Sequence, residues 1–402
     1  MSFQPPKGTD DIIAPESQTW RDTLRLWDDW SERYGYPLTS LPIFEATELF
    51  ERGVGDTTEV VTRQMFSFTD RGNRSMTLRP EGTAGAVRAY LNSGQQGTWK
   101  GAYSGPFFRY EQPQAGRRRQ FWQVGVEYIG TPSPLADIEV IELGYRFIAA
   151  TGLSEITLLL NSIGDLVCRP GYVETLRGYL RSREADLSED SRRLIERNPL
   201  RVLDSKMDAT RLLDAPRTVD FLCDACSEHF AAVREGLAVV DIPFKEDPTL
   251  VRGLDYYTRT AFEYIATGLD TAQNAVGGGG RYDGLAQAIG GPLTPGVGFA
   301  LGIDRVVLAL GDLTRPYLDA YLVSETGPRD ALEAISTLRD QGVRIDFDVD
   351  GRSVKAQFRT ARRLEAPVIL VWKGEGAPVD VQSGEERLEL GLQEVASWFG
   401  AT

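Results

Sequence analysis

The sequence predicts an α+β protein: a mostly antiparallel sheet with flanking helices, broken by a helical insertion and followed by a small C-terminal α/β domain. Three observations carry this. Strand-like and helix-like periodicities alternate over the first 160 residues, charged helical segments replace them from about Leu166 to Lys245, and strands then alternate with helices beyond Pro316. The expected domain limits are 1–165 and 246–312 for the two parts of a discontinuous sheet domain, 166–245 for the insertion and 316–402 for the C-terminal domain. A chain of 402 residues suits several cores, at roughly 100–200 residues per domain.

Taken in order, Thr19 to Arg33 is an amphipathic helix, and Asp137 to Ala150 repeats Ile138, Ile141, Tyr145 and Ile148 at helical spacing. Ile156 to Leu160 reads as a buried strand. The insertion, with SREADLSEDSRRLIERN, carries little strand signal. After glycine-rich strands between Thr249 and Leu310, the order is strand (Ala320–Val323), helix (Arg329–Gln341), strand (Val343–Val349), helix (Ser353–Leu364) and strand (Pro367–Trp372).

No apolar run approaches the roughly 18 residues of a membrane helix, and MSFQPPKGTDD lacks the features of a secretory signal, so a cytoplasmic protein is expected. A net charge of −14 opposes general polyanion binding; any nucleic-acid contact must use local basic patches. Cys168, Cys223 and Cys226 are too few for a secreted disulfide framework. Cys223, Cys226 and His229 offer C-x-x-C-x-x-H spacing, but a closed zinc site needs four ligands and no second pair is nearby in sequence. The segment therefore reads as a helix whose thiols and imidazole are packed or exposed without chemical purpose, and no metal ligand is assigned. His229 is the only histidine, so chemistry that leans on histidine is not expected.

The richest stretch is FFRYEQPQAGRRRQFWQVGVE, residues 107–127, two strands joined by an arginine-rich loop. Alternation puts Phe107, Arg109 and Glu111 on one side of the first strand. On the second, Phe121, Gln123, Gly125 and Glu127 share one face, and Trp122, Val124, Val126 and Tyr128 share the opposite, apolar one. A face with a cation, an amide, carboxylates, an aromatic ring and a glycine suits a polar ligand with a flat ring, although a solvated antiparallel face is the simpler alternative. Gly277 to Gly280 match neither phosphate-binding glycine motif and read as backbone-approach glycines on a pocket-lining strand.

Residues 107–127 resemble motif 2 of class II aminoacyl-tRNA synthetases, and the whole chain is similar to the histidyl-tRNA synthetases. Five more stretches agree in order: YGYPLTSLPIFE (34–45) resembles motif 1, TLRPEGTAG (77–85) the amino-group loop, LVRGLDYYTRTAFE (250–263) and GGGGRYDGL (277–285) the two histidine signatures, and GVGFALGIDR (296–305) motif 3. The resemblance implies a class II catalytic domain with a C-terminal anticodon-binding domain. It also implies histidine, ATP and histidine tRNA as substrates, Mg2+ beside ATP, and a homodimer. By similarity, Arg252 and Arg109 are catalytic at the α-phosphate, and ATP is held by Arg109, Glu111, Arg117, Phe121 and Arg305. Histidine is met by Glu81, Thr83, Gln123, Glu127, Tyr257 and Tyr282. The tRNA is met by Gln114 and Arg118, and by Arg352, Lys355 and Arg359, whose spacing with Arg362 gathers them on one helical face. The stretch departs from the family pattern at Gln112, Arg118 and Trp122, where arginine, tyrosine and histidine are usual. The alternative is a synthetase-like regulatory subunit of ATP phosphoribosyltransferase, which binds histidine without charging tRNA.

Overall fold

The computed structural model describes residues 3–55, 58–114, 116–153, 155–203, 205, 207–267, 269, 274–311 and 316–401. The domain limits expected at 1, 312 and 402 lie outside them. The chain forms two compact units, residues 1–11 with 22–312 and residues 12–21 with 313–402. No helix is long and apolar enough to cross a membrane among the described residues.

The elements preceding residue 165 are α1 (Glu16–Arg33), β1 (Phe44–Ala46), α2 (Thr47–Val54), β2 (Phe66–Thr69), β3 (Ser75–Leu78), α3 (Thr83–Ser93), β4 (Trp99–Phe108), β5 (Gln120–Ile129), α4 (Pro134–Ala150) and β6 (Ile156–Ser162). The helices α5 (Arg169–Ser182), α6 (Glu189–Leu194) and α7 (Asp224–Val239) follow. Then come β7 (Lys245–Glu246), β8 (Thr258–Ala266), β9 (Ala275–Arg281), α8 (Leu285–Ala288), β10 (Gly296–Gly302) and α9 (Ile303–Leu310).

A seven-stranded sheet in the order β4-β5-β10-β9-β8-β6-β7 forms the larger unit's frame. Every pairing is antiparallel except β6 with β7. Strands from beyond the insertion therefore fill the space between β5 and β6, and the two halves of the chain share one sheet. Its packing explains β9: a Cβ at Gly277 or Gly279 would strike the carbonyls of Ala300 or Gly298, and one at Gly278 or Gly280 those of Phe262 or Thr260. Glycine lets the flanking backbones approach on both sides.

One polar cluster ties the halves together. Arg281, at the end of β9, is wholly buried and ion-paired with Asp137 on α4, while its remaining N–H groups donate to the carbonyls of Thr131 (3.0 Å) and Ser133 (3.1 Å). The carboxylate of Asp137 also meets Nε2 of His229 from α7 at 3.2 Å. Asp137 is held below its ordinary value: burial opposes this, but the hydrogen bond from His229 and the charge of Arg281 outweigh it. The chain's only histidine is thus a buried structural partner.

The insertion has its own core, Tyr172, Leu176, Leu180, Ile195, Val202 and Leu212. Its irregular stretch is organised by the buried carboxylate of Asp208, which accepts from the hydroxyls of Ser188 and Ser191 (both 2.6 Å) and of Ser205 (3.0 Å).

The smaller unit contains β11 (Ala320–Ser324), α10 (Pro328–Asp340), β12 (Ile345–Phe347), α11 (Val354–Arg363), β13 (Val368–Trp372), β14 (Val379–Ser383), β15 (Glu386–Leu390) and α12 (Leu392–Ala401). Its sheet runs β12-β11-β13-β14-β15, parallel among the first three strands and antiparallel at the added hairpin. Ala334, Ile335 and Leu338 of α10 pack on Leu322, Leu370 and Val381.

Replacing Arg281 by Met leaves Asp137 buried without its cation, and breaking such a pair costs about 3–5 kcal/mol. Urea denaturation of Arg281→Met followed by tryptophan fluorescence is expected to show that loss; a change below about 1 kcal/mol contradicts the role given to the pair.

Candidate active site

A cavity of about 250 Å3 opens on one face of the large sheet. Among its lining residues are Arg109, Glu111, Arg117, Phe121, Gln123, Arg252 and Arg305, with Glu81, Thr83 and Tyr257. The fold thus gathers residues from five of the six motif-bearing stretches into one place. Glu127 and Tyr282 adjoin it through hydrogen bonds.

Glu127 lies on β5 with no exposed surface. Thr83 donates its hydroxyl to Oε1 at 2.7 Å, Tyr103 to the same oxygen at 3.3 Å, and Tyr282 to Oε2 at 2.5 Å. Burial drives its carboxyl up to about 8; these hydrogen bonds pull the other way and the nearby Glu81 adds to the rise. Gly298 faces it across β10, where a Cβ would collide with Oε2. Glu81 accepts the backbone N–H groups of Thr83 (2.7 Å) and Ala84 (3.0 Å), using its carboxylate to cap α3, and burial raises it too. Next to them, Oε1 of Gln123 is buried without a hydrogen-bond partner.

The other side of the cavity is cationic. Arg109 is anchored by Nε to the carbonyl of Pro80 (2.9 Å), with its guanidinium 5.4 Å from the ring of Phe121. Arg305 donates to the carbonyls of Gly116 (3.1 Å) and Ala275 (2.6 Å). Burial, then the charges of Arg117 and Arg109, hold Arg305 below the ordinary arginine value. The guanidinium of Arg117 lies 3.5 Å from the carboxylate of Glu111. Arg252 pairs with Glu263 at 2.7 Å and keeps a buried Nε without a partner. Such a cluster is stabilised by a polyanion, and forked guanidinium donors match phosphate.

The structure changes one local reading. β4 ends at Phe108, so Arg109 and Glu111 are loop residues: the N–H of Arg109 goes to the carbonyl of Arg119, and that of Glu111 returns to Arg109. Phe107 shares the sheet face of Phe121, its partner across the strands, but is fully buried beneath the guanidinium of Arg79, 4.3 Å away, and does not line the cavity. Trp122 donates its indole N–H to Ser104 (2.9 Å), while its backbone N–H donates to Asp304 (2.7 Å).

Among the residues expected to meet tRNA, Gln114 is exposed and bridges to Arg117 within the loop, where Ala115 lies outside the described residues. Arg118 turns inward to Asp10 (2.8 Å) and Asp304 (3.0 Å). Lys355, Arg359 and Arg362 are exposed on α11, whereas Arg352 precedes that helix and pairs with Asp348. Three site residues escaped the sequence reading. Tyr256, which donates to Glu81 at 3.4 Å, and Glu263 both lie inside the 250–263 stretch, and Tyr103 comes to lie opposite Gly125, within reach of Glu127, only through the β4–β5 pairing.

The family model described as Histidyl-tRNA synthetase matches residues 8–169 and 173–306. The histidine–tRNA ligase of Desulfitobacterium hafniense is 42% identical, with 98% of this chain and 97% of the relative covered. That of Picosynechococcus sp. is 46% identical over 94% and 90%. The structure of apo S. aureus histidyl-tRNA synthetase is similar with a TM-score of 0.77 at 34% identity, covering 99% of this chain and all of that one.

Glu127 makes stability depend on pH. Its carboxyl, ordinary value 4.5, stays protonated in the folded chain to about 8. Both states hold the proton at low pH; as pH rises, the unfolded chain releases it first, so folding weakens until the folded value is passed. Glu127→Gln cannot ionise and is expected to gain on the natural chain by up to about 4 kcal/mol between roughly pH 5 and pH 9. Urea midpoints measured across that range check this; a difference that does not vary with pH contradicts a neutral Glu127.

Proposed function

The chain belongs to the histidyl-tRNA synthetase family, and on that premise we propose that it activates histidine with ATP and then transfers it to the 3′ end of histidine tRNA, both in the cavity described above. The observation that carries this reading is the convergence of Arg109, Arg117, Arg252 and Arg305 on one cavity beside the buried carboxyl of Glu127.

In the first step a histidine carboxylate oxygen attacks the α-phosphorus of ATP, the bond to the bridging oxygen breaks, and pyrophosphate leaves. The step needs alignment and charge stabilisation more than proton transfer. Arg109 and Arg252 flank the α-phosphate, Arg117 and Arg305 take the outer phosphates, Glu111 meets the adenine edge, and Phe121 stacks on the purine. Glu127 and Tyr282 select the imidazole, with Tyr257 packed beside them. Glu81, Thr83 and Gln123 hold the amino-acid backbone. An amino acid without a ring N–H brings Glu127 no ligand donor to offset its burial, and sites built to meet a substrate donor reject analogues that lack it. In the second step a terminal ribose hydroxyl of the tRNA attacks the carbonyl carbon and AMP leaves.

Mg2+ enters with ATP as part of the substrate. Each cavity carboxylate already has a protein partner: Glu81 the α3 amides, Glu111 Arg117, Glu263 Arg252, and Asp304 Trp122 and Arg118. Among the described residues, no group of three or more His, Cys, Asp or Glu that could hold a metal ion lies in the cavity.

For the tRNA, the exposed side of α11 with Lys355, Arg359 and Arg362 is suited to backbone phosphates despite the acidic whole. A homodimer fits the exposed apolar side chains of Leu38, Ile43, Phe44 and Phe68, the first three from the stretch resembling motif 1. A cytoplasmic location suits three free cysteines. The regulatory-subunit alternative is disfavoured by the retained arginines and by the C-terminal unit.

Labelled pyrophosphate is expected to exchange into ATP with histidine and with no other amino acid, and charging of histidine tRNA is expected alongside. Histidine binding by calorimetry without exchange would favour the regulatory reading. Arg252→Ala is expected to lower exchange at least about 100-fold, the loss seen when one charge-stabilising donor is removed, with histidine affinity largely kept. Normal exchange by that variant removes Arg252 from the mechanism.

A further inference from the structure

Away from the cavity, Asp165, Cys168, Cys223 and Cys226 each bring one potential ligand atom into a cluster whose members all lie within 4.8 Å of one another. The C-x-x-C pair thus has a second pair after all, supplied from the other end of the insertion. His229 is turned away to Asp137 and takes no part.

Both pairs have two intervening residues, and both stand at helix starts. Cys168 is the residue preceding α5, Cys223 the residue preceding α7, and Cys226 lies in the first turn of α7. The first pair sits on a turn shaped around sulfur. Gly164 has φ +66°, and a Cβ there would lie 2.7 Å from Sγ of Cys168. The backbone N–H of Asp165 points at that sulfur from 3.4 Å. Oδ1 of Asp165 faces the same sulfur at 3.7 Å, and Arg259 engages Oδ2 at 3.3 Å, which neutralises part of the cluster's charge.

We propose that these four residues hold one Zn2+ in a closed structural site of three thiolates and one carboxylate oxygen. Zinc accepts this donor set in tetrahedral geometry, and thiolates select it over the harder ions. A Zn–S distance of about 2.3 Å places sulfurs about 3.8 Å apart, so the cluster need close by no more than about 1 Å. Binding releases the thiol protons to solvent, with no change of oxidation state. The ion joins the start of the insertion to its last helix. Arg169, adjacent to Cys168, donates to the carbonyls of Gly164 (2.9 Å) and Tyr257 (2.7 Å), so the metal-bearing turn braces the backbone of a cavity residue.

The full chain without a polyhistidine tag, reduced, exposed to Zn2+ and desalted, is expected to retain one zinc per chain by elemental mass spectrometry. A mercurial that titrates the three thiols should release it. Co2+ in its place is expected to show the thiolate-to-cobalt charge-transfer band and the strong visible bands of a tetrahedral site. Cys226→Ser should lose the metal; because it also alters a buried position, Asp165→Cys supplies an independent arm and should hold zinc against a chelator longer than the natural chain. A natural chain that emerges free of zinc, or binds Co2+ without the thiolate band, overturns the proposal, as does zinc retained in full by Cys223→Ser/Cys226→Ser.

Discussion

The buried ion pair between Asp137 and Arg281 is the constraint on which the larger unit depends. A guanidinium with no exposed surface persists only if each of its N–H groups finds an acceptor, and here they come from α4, the turn before it and Asp283. The arrangement sets where β9 ends. The next residue, Tyr282, then delivers its hydroxyl to Glu127, so the Glu127 end of the cavity inherits its geometry from a pair that does not line the cavity. His229 adds the insertion to the same carboxylate, joining three parts of the chain that are remote in sequence at one point. An apolar replacement of both partners could match the pair in stability, but it would leave the carbonyls of Thr131 and Ser133 without these donors.

The cavity applies the same economy to its arginines. Arg109 and Arg305 are positioned by backbone carbonyls, which orient a guanidinium without cancelling its charge. Their field stays available for phosphate, and the repulsion among them, which adds to burial in lowering Arg305, is part of what a bound polyanion would relieve. Glu127 meets the opposite condition: deep burial keeps its carboxyl neutral near pH 7 until a ligand donor arrives.

Much of this was legible because strand alternation is a local property. Gln123 and Glu127 share a face by period two, and the glycines of β9 announce a close backbone approach. Where a strand stops pairing is not local, and so Arg109 and Glu111 were read as extended when their N–H groups close a turn. Glu263 acquires its role from Arg252 in the loop before its strand, Tyr103 only through Glu127 across the β4–β5 pairing, and Asp165 and Cys168 meet Cys223 and Cys226 only after the insertion folds. The basic face of α11 followed from helical spacing, but Arg352 did not stay on it, because Asp348 four residues earlier captures it before the helix begins.

The glycine strand and the scarcity of histidine have one physical root. Arg252 and Tyr257 occupy space that side chains on Gly278 and Gly280 would claim: a Cβ there would lie 3.0 Å from Nη1 of Arg252 and 2.8 Å from the ring of Tyr257. The sheet surrenders side chains at its centre so that cations and rings from neighbouring elements can lean over it. Those cations stay charged throughout and cannot shuttle protons. Displacement at phosphorus by a carboxylate asks for no proton shuttle, only for donors already in place as charge moves toward the leaving group. A chain whose single histidine is locked against Asp137 can therefore activate histidine itself, because the imidazole in the reaction belongs to the substrate and the protein contributes its arginines and the shape that holds them apart.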